Sequence, residues 1–470
     1  MEQFEYEKKK KRIKKEPIYI ILCVVFLVVG SIGGYYFGVK NQKTKIIGAS
    51  LYDEISTIIE ERFLDTTESD YSLQERMLTG MVGALGDLHS SYLSSKQATD
   101  FNTSINGNFE GIGVLFTAIP AGGIVLDAYA SSPADKAGMK PGDIMTHIEG
   151  TSIAGKDVDQ IKASIQGEKG TPVKLQILRN GQKMNMTVNR GNVESSVNAY
   201  IDDQIGVLQI TTFGNYTTDL VEKALKNFQD KKIETICVDL RNNGGGYLEA
   251  VKGLLDLFLP EDTMMFQIQD KKGNNREYKS TDCQKYIFDK GYILVNSSTA
   301  SASEVMTAAL MEQLDYTVIG EKTYGKGTAQ SQATLSDGSV LKFTSEKWLT
   351  SKGNWINGKG IEPDYKVVQD TIENYSTRAF EKTYHYDDVS GDVMNLQMIL
   401  KTLGYQVDRS DGYFSKQTEN ALKTFEQKYQ LKVDGKYNQD DATILLSALS
   451  YHLYQVIPDA SYNKIKELIK

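Results

Sequence analysis

Asp239-Leu240-Arg241-Asn242-Asn243-Gly244-Gly245-Gly246 stands between two unlike patterns: a strand-like run over 235–240 ends in it, and an apolar helical stretch over 248–258 follows it. Outward from there the same exchange repeats. Strand-like runs at 205–210 and 292–295 alternate with helical ones at 219–228 and 303–313. Such alternation specifies an α/β core. Ser301-Ala302-Ser303-Glu304 occupies a second strand-to-helix junction. Both junctions fall beyond the carboxyl ends of strands, where open α/β sheets bind their ligands.

The chain has 470 residues, enough for several domains of roughly 100 to 200 each. Its 40% hydrophobic and 24% charged residues, with 40 Gly but 8 Pro, exclude a disordered, collagenous or polytopic membrane protein. A net charge of −8 argues against nucleic-acid binding. Three cysteines are too few for a disulfide framework, so Cys23, Cys237 and Cys283 read as free thiols.

Residues 1–17 form a basic tail with Lys8 to Lys11, Arg12, Lys14 and Lys15, and residues 18–39 carry no charge. At about 1.5 Å per residue that run crosses a hydrocarbon layer of about 30 Å. The cations before it keep the tail in the cytoplasm, so the rest of the chain is expected to be exported. Gly30, Gly34 and Gly38 recur every fourth residue, a spacing that suits either close packing of two such helices in a homo-oligomer or a lipid-facing surface.

Residues 40–104 read as a helical region whose apolar stripe (Leu51, Ile55, Ile58, Ile59; Met77, Met81, Val82, Leu85) is expected to be core. Residues 105–190 change to short β-branched runs and glycine turns with one helix at 158–165. The α/β core takes 191–368. A polar linker is expected over 369–390, and a last helical unit over 391–450 contains turns at Asp411-Gly412 and Asp434-Gly435.

A serine at a helix N-terminus has its oxygen near unpaired N–H groups and the positive end of the helix dipole, which favours an alkoxide. Ser301 fits that description, although Ser301-x-x-Glu304 is equally a capping box. A nucleophilic serine needs a base. The histidines are His89, His147, His385 and His452, none of them within the α/β core. Lysine is therefore the candidate, and Lys326 sits in Tyr324-Gly325-Lys326-Gly327, where glycines allow tight turns. To act near neutral pH its amine must lose roughly three pKa units, which burial can supply. The rival reading of Gly320-x-x-x-x-Gly325-Lys326 as a P-loop fails, because Gly327 replaces the magnesium-binding Ser or Thr and a β-like stretch follows instead of a helix.

Three segments resemble, in order, the signatures of the C-terminal processing peptidases, or tail-specific proteases: Asp239 to Gly246, Thr299-Ala300-Ser301-Ala302-Ser303-Glu304, and Gly320 through Gln330. Gly244 stands where that family often has proline. The resemblance implies a crotonase-like α/β serine-peptidase core with an inserted PDZ domain, an N-terminal transmembrane helix and a small all-helical C-terminal domain. It assigns Ser301 as nucleophile, Lys326 as general base and Gln330 as the residue that orients the lysine. The oxyanion hole would be the N–H of Ala302 with that of Gly245 or Gly246, Gly245 being favoured. His89, in Asp87-Leu88-His89-Ser90, fits a family motif as a structural residue.

Residues 105–190 resemble a PDZ domain with Gly111-Ile112-Gly113-Val114 as its carboxylate-binding loop, and 391–450 resemble a peptidoglycan-binding module. The implied protein is a bacterial single-pass membrane endopeptidase, extracytoplasmic and free of metal or cofactor. It would cut protein substrates near their free C-termini while its PDZ domain reads the tail and gates activity. The alternatives are a wall-bound PDZ scaffold without activity and a trypsin-like PDZ protease. The latter needs a His and an Asp on β-barrels and usually carries its PDZ after the catalytic unit.

Overall fold

The computed structural model describes residues 51–64, 71–106, 108–129, 131–194, 196–281, 285–380 and 382–470. The run 18–39, Cys23 and Cys283 lie outside them, and among the described residues no helix is long and apolar enough to cross a membrane. The chain divides into two units at Gly86. In the first, residues 51–62 and Leu73–Gly83 are helical, the latter behind a Ser72/Glu75 capping box. Val82 is buried, whereas Met81 and Leu85 are 64% and 66% exposed. That corrects the reading of the whole stripe as core: helical periodicity identifies an apolar face without saying what covers it.

In the second unit the α/β alternation forms as expected. Strands β1 (Val197–Asp202), β2 (Ile205–Ile210), β3 (Thr235–Asp239), β6 (Lys290–Val295), β7 (Thr317–Gly320) and β10 (Tyr365–Lys366) make one sheet, in the order β1-β2-β3-β6-β7-β10. All pairs are parallel except β1 with β2. Helices α1 (Thr217–Asp230), α2 (Leu248–Phe258) and α3 (Ala302–Leu314) supply the crossovers. Every residue of β3 is buried, as a strand covered on both faces requires.

A second, antiparallel sheet joins the hairpin β4 (Met264–Gln269) and β5 (Asn275–Lys279) to β9 (Val340–Thr350), with β8 (Thr328–Thr334) pairing β9 as well. Ser91–Leu93 completes it by pairing with β9. A strand thus lies inside the region read as helical, because three residues are too few for periodicity to declare them.

The PDZ-like sheet orders Val114–Ile119, Gly122–Ala128, Ile144–Ile148, Pro172–Arg179 and Gln182–Asn189. Its helix, Val158–Ile165, begins at an Asp157/Gln160 capping box and packs beside the edge strand Val114–Ile119. The helices Gly391–Thr402, Lys416–Lys428 and Gln439–Tyr451 form the last unit. It shares one apolar core with Ile119, Ile124, Ile144 and Leu178 of the PDZ-like sheet. Gly181 donates to Ser447 Oγ at 3.0 Å, and Tyr429 Oη to Asn180 at 2.7 Å. The stretch 369–390 is no free linker: Ile372, Tyr375 and Tyr384 are buried in that core, and Tyr384 bridges to Tyr437. Polar neighbours had masked those anchors.

Candidate active site

Ser301 caps α3 with φ 57° and ψ −119°, a conformation L-residues with a Cβ rarely adopt. Strain of order 1–3 kcal/mol is held there by surrounding bonds, a pattern common at reacting centres. In the capping box Glu304 Oε2 accepts the Ser301 N–H at 2.9 Å.

Glu304 is fully buried and does more than cap. The same Oε2 accepts the Lys326 N–H at 2.8 Å, while Oε1 accepts Gly325 N–H at 2.7 Å and Thr323 Oγ1 at 2.6 Å. One carboxylate therefore holds the backbone of both candidate catalytic residues. Tyr324 N–H adds a bond to the Thr299 carbonyl at 3.0 Å. The lysine loop is fixed from the other side by Trp348 Nε1 on the Lys326 carbonyl (2.6 Å) and Trp355 Nε1 on the Gly327 carbonyl (2.8 Å). Gly325 and Gly327 are small for contact as much as for turning, because a Cβ on either would lie 2.7 Å from a backbone nitrogen, of Gly360 and Asn357 respectively.

The Lys326 amine is held below the ordinary lysine range, first by burial and next by the charge of Lys342; Asp87 and Glu304 oppose this. Lys342 is itself lowered by burial, against Asp87, and its amine lies 4.8 Å from the Phe101 ring centroid. His89 is lowered by burial and then by Lys326, and its ring meets Tyr324 edge-on with centroids 6.5 Å apart. Asp87 accepts from Ser90 Oγ, which in turn accepts the Thr344 N–H at 3.1 Å. Gln330 follows a register shift in the pairing of β8 with β9, and its Nε2 donates to Thr328 O and Oγ1 at 3.3 and 3.1 Å. Its Oε1 is the end with which an amine can bond.

The glycine turn meets Ser301 directly. A Cβ on Gly245 would fall 2.9 Å from Ser301 Cβ and 3.0 Å from Ala302 N, whereas one on Gly246 would strike the Phe213 backbone at 2.4 Å. Gly245 is therefore the glycine bordering Ser301. Its N–H is engaged, donating to Asn243 Oδ1 at 2.9 Å. The turn is stitched to α3 through the Asn243 carbonyl, which accepts Ala300 N–H at 3.0 Å and Ser303 Oγ at 2.9 Å. Gly244 has open space around it, so these bonds hold the turn where a proline often stands in the family.

In the candidate peptide loop, the Ile112 carbonyl accepts from Ala134 N–H at 2.8 Å, and the Gly113 carbonyl from Tyr129 N–H and Ser132 Oγ at 3.1 and 3.2 Å. A trans peptide points its N–H opposite its carbonyl, so the N–H groups of Gly113 and Val114 face away from those partners. Gly111 ends the strand Asn108–Gly111, and Val114 begins the sheet's edge strand. Lys342, Trp348 and the multiple bonds of Glu304 escaped sequence reasoning; only Glu304 left a signal, as the last residue of a capping box.

Residues 204–367 match Peptidase family S41, residues 124–179 a PDZ domain and residues 389–445 a peptidoglycan binding domain. The fold and these matches define a PDZ-bearing serine peptidase. The chain is 33% identical over 385 residues to the carboxy-terminal processing protease CtpB of Bacillus subtilis, covering 80% of each chain. It is 31% identical over 445 residues to CtpA of the same organism, covering 93% of this chain and 95% of that one. A Staphylococcus saprophyticus protein named "Probable CtpA-like serine protease" is 33% identical over 441 residues, covering 92% and 89%. The chain belongs to peptidase family S41 and is a C-terminal processing serine peptidase.

Proposed function

We propose that the protein is a membrane-anchored, extracytoplasmic endopeptidase that cuts substrates near their C-termini with a Ser301–Lys326 dyad. The shared hydrogen-bond acceptor, Glu304 Oε2 under both backbone N–H groups, is the observation that carries this reading. Neutral Lys326 takes the Ser301 hydroxyl proton as Oγ attacks the scissile carbonyl, and the Ala302 and Gly245 N–H groups stabilise the oxyanion. The lysine then returns the proton to the leaving amine. A water activated by the same base hydrolyses the acyl-enzyme.

The uncharged run 18–39 behind a basic tail supports anchoring with the N-terminus inside. The PDZ domain would bind a substrate tail as an added strand on Val114–Ile119, with its carboxylate at 111–114. The last domain would hold the enzyme near peptidoglycan. The engaged Gly245 N–H must leave Asn243 Oδ1 before it can serve an oxyanion, a rearrangement that gating by the PDZ domain would have to bring about.

Peptide cleavage tests the reading. A substrate with a free C-terminal carboxylate should be cut at least about tenfold faster in kcat/KM than its C-terminal amide, a difference of roughly 1.4 kcal/mol. Equal rates for both would end the tail-recognition reading. Amidation is the cleaner probe, because deleting 105–190 would also bare the face that the last domain covers.

The oxyanion assignment has its own test. Gly245→Ala puts a methyl against Ser301 and Ala302 at φ +105° and should cut kcat about 100-fold or more, while Gly246→Ala should mainly lower the thermal midpoint through its clash with Phe213. Normal turnover in Gly245→Ala at unchanged folding would move the hole elsewhere.

A further inference from the structure

Residues 452–470 follow the peptidoglycan-binding match and lie far along the chain from the S41 match at 204–367. In space they return to the catalytic sheet. The helix Ala460–Ile469 buries Ile465 completely in a cluster with Ile205, Val207, Cys237, Leu294 and Ile319 of the parallel strands. Near its carboxyl end Lys466 pairs with Asp202 at 2.7 Å. Its cap, Asp459, lies at the opposite end, where β3 runs into the glycine turn.

Asp459 divides its two oxygens. Oδ1 accepts the Tyr462 N–H at 2.9 Å, capping the helix, and Oδ2 pairs with Arg241 Nη2 at 2.8 Å. Arg241 also grips Asp239 through Nε and Nη2, at 2.9 and 2.6 Å. Asp239 is the last residue of β3, so that bond ties the turn to the strand it leaves. Asp459 belongs to a separate, firmly packed element. Burial pushes its carboxyl pKa up, and the charge and hydrogen bond of Arg241, together with the N–H groups of Tyr462 and Ser461, more than offset this, leaving it below the usual range. From Arg241 the turn continues through Asn243, whose carbonyl is bonded to Ala300 and Ser303, to Gly245 beside Ser301.

We propose that Asp459 is a positioning residue for the peptidase reaction: as cap of the terminal helix it anchors Arg241 and, through Arg241, the glycine turn that borders Ser301. The segment after the wall-binding module is thereby a working part of the catalytic core. This rests on the reading of Ser301 and the glycine turn as the reacting centre.

Asp459→Asn tests it cleanly. Asparagine caps a helix about as well as aspartate, so the Tyr462 bond and the helix remain while the charge facing Arg241 is lost. Arg241 keeps Asp239 as a partner, so no buried charge is left unpaired and the thermal midpoint should move by only a few degrees. On a tail peptide kcat should fall about tenfold or more with KM within about twofold, the mark of lost positioning rather than lost binding.

Asp459→Glu should recover most of the rate. In combination with Arg241→Gln, Asp459→Asn should add nothing to the loss caused by Arg241→Gln alone. Unchanged kcat in Asp459→Asn, full additivity in the double variant, or Asp459→Glu no better than Asp459→Asn would each overturn the proposal. Ser301→Ala run beside them separates the two readings. Turnover remaining there refutes the nucleophile, whereas its loss together with a normal Asp459→Asn refutes the anchor alone.

Discussion

Lys326→Met should reduce cleavage of a tail peptide by about 10⁴-fold or more, as should Ser301→Ala, and neither should unfold the protein. The two variants are expected to differ in stability. The folded state holds the Lys326 pKa below its ordinary 10.5, through burial first and Lys342 second. Between that lowered pKa and 10.5 the unfolded chain therefore binds more protons than the folded one, and stability rises with pH across the window. Methionine removes that penalty, so Lys326→Met should match or exceed the wild-type thermal midpoint at pH 7, with a shallower rise towards alkaline pH.

Activity follows the same proton. In the wild type kcat should climb as pH rises through the lowered lysine pKa, because only the neutral amine accepts the Ser301 proton. Steady-state rates and thermal scans across pH 6 to 10 check both statements. Substantial turnover in Lys326→Met would remove the base from the mechanism, whatever the stability shows.

Long periodic segments were legible because periodicity is a local property. The helix at 158–165 and the strand at 205–210 form at those bounds. The reacting serine and its loop were legible as motifs, since glycines and a strand-to-helix serine leave a local mark. What stayed hidden depends on contacts between distant parts of the chain. The hairpin Met264–Gln269 with Asn275–Lys279 has an edge whose exposed residues carry no clear alternation. Asp459 follows a proline and carries no pattern of its own in the sequence, and its meaning arises only where Ile465 seats the helix on the catalytic sheet. Tyr375 and Tyr384 read as linker because burial, unlike polarity, cannot be counted along a sequence.

Glu304→Gln is the substitution that separates a cap from a brace. As a plain helix cap, Glu304 would contribute about 1 kcal/mol and tolerate an amide. In the structure it accepts four hydrogen bonds in a fully buried position, two at each oxygen. A glutamine keeps one acceptor oxygen and turns an NH2 group towards the other two donors. If Oε1 stays with Thr323 and Gly325, the N–H groups of Ser301 and Lys326 lose their acceptor; in the flipped orientation Thr323 and Gly325 lose theirs. Each buried donor left unmet costs about 1–3 kcal/mol, so destabilisation of about 2–6 kcal/mol is expected from denaturant unfolding. The strained Ser301 backbone would also lose the bond that holds it, and displacement of the reacting groups by about 1 Å should lower kcat roughly 100-fold at temperatures where the variant is still folded. Loss of stability with normal kcat would mean that α3 and the lysine loop hold their register without this carboxylate. Normal values of both would reduce Glu304 to the capping role its sequence position suggests.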